Sequence, residues 1–435
     1  MKYNDQPIYR PDQDAFGRAN FASLLAAALD RFPVSKDGVA KDGYIIAING
    51  QWGSGKTSTI ELILRRMRHL EMERASQIVL PQYQTARPCS QEELENMSRP
   101  FEEIEGRIGL IEAQNKDTTR WEPISRINEF RRWLDSEKRA EDADRYFRLR
   151  THVAKNPRTV VVRFSPWIFS GRVELAAALL SELARTLGQT LGADVRNAFG
   201  KVLGRLAELA PLGGAGIDLV GGSGLGGILS SGSSIMRKVA DRMTSGPSLD
   251  ELRLQLKQAL RALDERQVLI VVDDLDRLTP QEALEMVTLV KGLGDLPNVV
   301  YVLSYDEETL ARLIDQAVDA NNKSNYLDKI VQYSVSLPLF GRDDIANFLE
   351  KDLIEFTEKL SSSDQSRLRF VWNYVLRHYL RTPRDVRRLV NNFYFARLAI
   401  AEITDPIDLL VIETLRLFEP AIYSWVRFNI ADLAD

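Results

Sequence analysis

Five short, uninterrupted aliphatic runs recur along this chain: YIIAIN (44–49), TVVVRF (159–164), VLIVV (268–272), NVVYVLS (298–304) and, less purely, YSVSLP (333–338). The first four are apolar at nearly every position rather than at alternate ones, which suits a strand covered on both faces. Helical-looking segments separate them. The runs therefore read as βαβ units and predict an α/β fold, three layers around a central, mostly parallel sheet.

The residues immediately after the first run point to a ligand. YIIAIN leads directly into GQWGSGKTS, in which Gly50, four intervening residues and Gly55-Lys56-Thr57 match GxxxxGK followed by Ser or Thr. Glycines at this place let the backbone turn with its N–H groups aimed inward, and the helix that comes next adds its positive end; together they make a nest for anionic oxygens. Lys56 is placed to reach β- and γ-phosphates, and the Thr57 hydroxyl to ligate Mg²⁺. Gly50, Gln51, Trp52, Gly53, Ser54, Gly55, Lys56, Thr57 and Ser58 form the candidate phosphate-binding set. The pattern arises by chance in roughly one or two chains of this length per hundred, but here it also sits between a buried run and a helical segment, as the chemistry requires.

A phosphate clasp needs an acid on a neighbouring strand, and VLIVVDDLDR supplies two: Asp273 at the carboxyl end of its run as the second Mg²⁺ ligand, and Asp274 as the base or orienter of an attacking water. Thr279 is the better cap for the next helix, which frees the acidic pair for chemistry. NVVYVLS ends in Ser304-Tyr305-Asp306, where Ser304 or Asp306 could sense a γ-phosphate, although Asp306 also suits a helix cap. Arg277, and Arg384 within RTPRDVRRLVNN, are the candidate charge-stabilising arginines, set against the plainer reading that most arginines here pair with surface acids. Trp167 in RFSPW reads first as core filling, with a contact that reports nucleotide state as the alternative. No guanine-reading NKxD motif is present, since NKSN (322–325) lacks the acid, and ATP is favoured over GTP.

The chain divides by pattern into a leader helix and phosphate loop (1–64), an inserted charged helical arm (65–157), the rest of the core (158–340) with a Gly/Ser-rich loop (211–234), and a C-terminal lid of four amphipathic helices (341–435). Within that loop, LGGAGIDLVGGSGLGGILSS (212–231) is the most membrane-like window. Its eight aliphatic or Ala positions contribute at most about −4 kcal/mol and Asp218 returns about +3, so a transmembrane span is not expected. Lys plus Arg number 57 against 61 Asp plus Glu, so bulk charge favours no polyanion, and any nucleic-acid contact must come from a local patch. The single cysteine, Cys89, and three scattered histidines offer neither a disulfide nor a zinc site, and the N-terminus lacks an apolar signal core. A cytoplasmic location is expected.

In order, NGQWGSGKTS, VVRFSPWIFSG, VVDDLDRLTP, VLSYDEETL, YLDKIVQYSVSLP and RTPRDVRRLVNN closely resemble the successive motifs of the KAP P-loop NTPases. That resemblance implies the additional-strand division of P-loop ATPases and ATP hydrolysis with Mg²⁺. It places Lys56 and Thr57 on phosphate and metal, Asp273 on Mg²⁺ and Asp274 in the water-activating position. It also implies association with other proteins, since several bacterial members lie in gene clusters for defence against phage. Many members carry transmembrane helices where this chain has its Gly/Ser stretch, and the charged arm exceeds the family core. The expected protein is thus a KAP-type ATPase governing an effector in anti-phage defence. The alternatives are a slow-turnover nucleotide-dependent scaffold, which could be membrane-associated, and a P-loop kinase. A homo-oligomer with Arg277 acting in trans is neither required nor forbidden.

Overall fold

A computed structural model describes residues 7–8, 11–31, 42–79, 104, 140–169, 175–190, 197, 200–201, 249–261, 263, 266–318, 327–358, 360–400 and 404–430. The expectations for Cys89, the interior of the charged arm, the Gly/Ser loop and NKSN lie outside the described residues.

All five aliphatic runs are strands: β1 (Tyr44–Asn49), β2 (Thr159–Phe164), β3 (Gln267–Val272), β4 (Val299–Tyr305) and β5 (Tyr333–Ser336). They form one five-stranded sheet in the order β2-β3-β4-β1-β5. Pairing is parallel, with Thr159 opposite Gln267 through Phe164 opposite Val272, and Val268 opposite Val299 through Val272 opposite Leu303. One strand, β4, therefore separates the run that leads into the glycine loop from the run that ends in the acidic pair, which is the additional-strand arrangement. Every residue of β3 and β4 is buried, in keeping with runs that lack alternation.

The chain clusters into two compact units. One comprises 20–48 and 62–335 and holds the sheet from β1 to Val335. Its core joins Val160, Val162 and Phe164 of β2, Ile270 and Val272 of β3 and Tyr301 and Leu303 of β4 to Leu179 and Leu183 of helix Leu175–Thr190 and Met286 and Val290 of helix Pro280–Leu293. Tyr301 is fully enclosed, and its hydroxyl donates to the Leu293 carbonyl at 2.9 Å, so the ring is buried without an orphaned polar group.

The other unit comprises 1–19, 49–61 and 336–435. Its core is built from helices Arg342–Thr357, Pro383–Ile400 and Pro406–Phe418, with Leu349, Leu353, Leu389, Val390, Phe393 and Leu410 at its centre and Phe16 of the leader packed against Phe340 and Phe348. Of the four C-terminal helices expected, the last, PIDLLVIETLRLFEPAIYSWVRF (406–428), is two, Pro406–Phe418 and Pro420–Phe428. Pro420 cannot donate a backbone hydrogen bond, and Glu419 leaves helical geometry at φ −131°, ψ 60°. The second of the four, RLRFVWNYVLRHYL (367–380), passes through a π-helical turn, Trp372–Leu376.

Two helices bear on the site. Helix α1 (Arg18–Arg31) follows Asp14, whose carboxylate accepts the Ala19 amide at 2.7 Å. Helix α2 (Lys56–Val79) starts at the phosphate-loop lysine and runs for 24 residues, well into the stretch read as the inserted arm. Helix α3 (Ala140–Lys155) closes that stretch ahead of β2.

Candidate nucleotide site

The glycine loop lies in the unit that contains the C-terminal helices. Gly53 and Gly55 take φ values of +77° and +84°, the left-handed region where a side chain is disfavoured. At Gly53 space is lacking too: a Cβ there would come 2.8 Å from Thr382 Oγ1 and 3.0 Å from Arg384 Cβ. The Ser54 amide closes a turn on the Gln51 carbonyl at 3.0 Å, and the first turn of α2 forms with the Thr59 amide on the Gly55 carbonyl at 2.9 Å. Lys56, largely buried, folds back so that Nζ donates to the Gly50 carbonyl at 2.8 Å. Its ammonium is thereby held over the loop. Ser58 Oγ accepts the Ile8 amide, which ties the leader to the first turn of α2.

Two arginines brace this loop. Arg384, on the second residue of helix Pro383–Ile400, lies with its guanidinium 5.3 Å from the ring centre of Trp52, so it reaches the loop through an aromatic face. Thr382 and Asp385 fix the start of that helix, the Asp385 carboxylate accepting from both the amide and the hydroxyl of Thr382 at 2.9 Å. Arg387 instead lies over Phe348, at 5.6 Å.

Sequence reasoning missed the second arginine. Arg18 is only 7% exposed; Nη1 donates to the Ser54 carbonyl, Nη2 to the Pro338 carbonyl at 2.8 Å, and the guanidinium stacks 4.2 Å from the Phe340 ring centre. Burial lowers its pKa to about 10, partly offset by the charge of Asp14. One signal was available: a cation in the first turn of a helix opposes the macrodipole and needs carbonyl partners from elsewhere.

The acidic set lies in the sheet unit. The Asp273 amide extends the ladder past β3 by donating to the Phe164 carbonyl at 3.1 Å, and Asp273 Oδ1 accepts the Asp274 amide at 2.9 Å. Asp274 takes φ 62°, ψ 37°, a left-handed conformation that an aspartate adopts at some cost. Its Oδ1 pairs with Arg277 Nη2 at 2.8 Å, and Arg277 lies 5.8 Å from the ring centre of Trp167. Trp167 is 48% exposed, which corrects its reading as core filler: the short helix Pro166–Ile168 buries Pro166 and turns the indole outward onto Arg277.

Ser304 is fully buried with an unpartnered Oγ. Asp306 caps helix Glu307–Ala317 by accepting the Thr309 amide at 3.0 Å, the plainer of its two readings. Thr279 starts helix Pro280–Leu293 with both its amide and its hydroxyl on Glu282 Oε2, so the acidic pair is not spent on capping. The fold thus groups the loop residues with Arg384 in one unit, and Asp273, Asp274, Arg277 and Ser304 in the other.

The loop fits a polyphosphate: left-handed backbone at Gly53 and Gly55 and a lysine at the start of α2 are what an anion nest at a helix N-terminus requires. Among the described residues no group of three or more His, Cys, Asp or Glu side chains forms a metal cage. The donor set suits Mg²⁺, which is commonly bound by one or two carboxylates together with substrate phosphates and water.

A strand, a glycine nest closed by a lysine, and a second strand tipped with paired carboxylates in an additional-strand sheet define a nucleotide-binding P-loop NTPase. The family model for the KAP family P-loop domain matches residues 18–400, and the chain belongs to that family. It is 26% identical over 186 residues to the phage T7 exclusion protein of Escherichia coli (strain K12), a match that covers 42% of this chain and 25% of that protein. The chain thus spans about a quarter of the length of that curated relative. Among solved structures, the Aeropyrum pernix ORC2 protein (ADPNP-ADP complexes) aligns over 96% of this chain and 71% of its own, at 10% identity and TM-score 0.40. The Walker-type ATPase PABY2304 of Pyrococcus abyssi aligns over 99% and 80%, at 12% identity and TM-score 0.35. Both likenesses are too distant to bear on the site. Among the described residues, no helix is long and apolar enough to cross a membrane.

Proposed function

We propose that this chain binds ATP with Mg²⁺ on the glycine loop and hydrolyses it, and that the cycle controls an associated effector in defence against phage. The observation that carries the nucleotide half is the loop itself: two left-handed glycines, a lysine at the helix start, and a Gly53 position too tight for any side chain. Lys56 would neutralise charge developing on the transferred phosphate, and Asp274 would orient water and accept its proton. Thr57 and Asp273 would hold Mg²⁺, which supplies charge neutralisation to the β- and γ-phosphates when bound. Arg277 would keep the Asp274 carboxylate in place through the ion pair described above, and Arg384 would add charge from the lid. Steady-state phosphate release by the pure protein tests this reading: Asp274→Asn should lose most turnover while retaining ATP binding. Equal turnover in the two proteins would refute it.

A slow-turnover, nucleotide-loaded scaffold is the second reading, favoured by the same ion pair: an Asp274 carboxylate engaged by Arg277 is less available as a base. It predicts turnover that stays slow in wild type and Asp274→Asn alike, with tight ATP binding in both.

The defence role is supported by family membership and by the shared segment with a protein named for phage exclusion. Efficiency of plating on cells that express wild type or Lys56→Ala tests it, and equal plating would refute it. The 65–157 arm is the proposed contact for a protein partner, in the cytoplasm.

A further inference from the structure

We propose that the outer edge of β2 is a docking slot for an extended, acidic peptide segment of a partner protein. Among the described residues β2 pairs only with β3, at the end of the sheet. The carbonyls of Arg158 and Phe164 accept amides from Gln267 and Asp273, so even-numbered backbone groups face β3 and those of Thr159 and Val161 face outward. The first outward amide is already met by a carboxylate: Glu71 Oε1 of α2 accepts the Thr159 N–H at 2.6 Å. A carboxyl group from outside the sheet has thus taken the place of a strand partner at that rung.

Beyond that rung the edge opens into a cleft of about 610 Å³, walled by Leu64 and Met67 of α2, Val153 of α3 and Thr186 of helix Leu175–Thr190, with Val161 on its floor. Among the described residues, four arginines (Arg68, Arg150, Arg163, Arg185) line it against two glutamates, Glu71 and Glu182. Glu71 is used by the Thr159 amide and Glu182 by Arg185. With the Arg185–Glu182 pair neutral, three arginines stand against Glu71 among the described lining residues, so the local charge is positive on a chain whose net charge is −4, and it selects an acidic occupant. An outward-facing amide favours an extended backbone over a compact anion, because strand addition satisfies such groups in register while side chains supply specificity. Both helical walls reach into the charged insertion: α2 carries Met67 and Arg68 beyond residue 64, and α3 carries Arg150 and Val153.

The test uses fluorescein-labelled acetyl-(Glu-Val)₄-amide and the full chain, read by fluorescence anisotropy. Saturable binding is expected, weakened at least about tenfold by Val161→Pro, which removes an outward amide that β3 does not use, and comparably by Arg150→Glu. Hydrogen exchange on the wild-type protein supplies an arm that needs no variant, and the Val161 amide should slow when peptide is added. Absence of saturable binding, equal affinity for the Val161→Pro protein, equal binding of a Pro-interrupted acidic peptide or of oligophosphate, or an unchanged Val161 amide would each overturn the proposal.

Discussion

Asp274 combines a proposed chemical role with a backbone conformation that costs free energy, and substitutions can separate the two. At φ 62°, ψ 37° an ordinary L-residue pays about 1–2 kcal/mol. Asp and Asn pay less because their short polar side chains bond locally, and a β-branched residue pays more. The ion pair to Arg277 involves side chains 34% and 18% exposed, so solvent screening limits it to about 0.5 kcal/mol. Asp274→Asn keeps the tolerance and loses the pair, which leaves stability within about 1 kcal/mol of wild type. For Asp274→Gly, relief of strain is offset by about 0.4–1 kcal/mol of added unfolded-state entropy and by the lost pair, again near zero net. Asp274→Ala should fall about 1 kcal/mol below glycine, and Asp274→Val about 2 kcal/mol or more. Urea midpoints at constant slope should therefore order as Asp, Asn and Gly together, then Ala, then Val, while phosphate release drops in all four variants. A valine variant as stable as wild type would refute the conformational argument, and an asparagine variant with undiminished turnover would refute the chemical one.

Arg18→Met keeps the aliphatic stem but leaves the Ser54 and Pro338 carbonyls without their charged donor, and should cost about 2–4 kcal/mol in a urea titration. The same change should weaken fluorescent-ATP binding at least about tenfold, since Ser54 belongs to the phosphate loop, and unchanged affinity would contradict the bracing role. Glu71 has its pKa raised, chiefly by burial, with the Thr159 amide as the largest opposing influence. The folded state therefore holds a proton more tightly than the unfolded one, and the associated stability is fully present below the ordinary carboxylate pKa and lost as pH rises through the raised value. Glu71→Gln keeps an acceptor for Thr159, so its urea midpoint should exceed that of wild type at neutral pH and vary less with pH; a lower midpoint at neutral pH would contradict this.

Much of the fold was legible because buried parallel strands announce themselves as unbroken aliphatic runs: β2 coincides with TVVVRF, β3 starts one residue before its run, and β4 is shifted by one residue at each end. The glycine loop was legible because left-handed backbone at Gly53 and Gly55 leaves sequence little choice. Arg18 was not, since its partners Ser54 and Pro338 lie 36 and 320 residues away, and no local pattern encodes them. Trp167 misled for a similar reason: a large aromatic is core by default, and only the fold brings Arg277 under its ring. The break at Pro420 was readable from the residue itself and was overridden by the apolar periodicity on either side.

The proposed Mg·ATP chemistry is tested most directly by equilibrium ATP binding with and without Mg²⁺. Wild type should bind more tightly with Mg²⁺, Asp273→Asn should lose that enhancement yet keep its metal-free affinity, and Lys56→Ala should lose affinity under both conditions. An Asp273→Asn protein that retains the full Mg²⁺ enhancement would contradict the account.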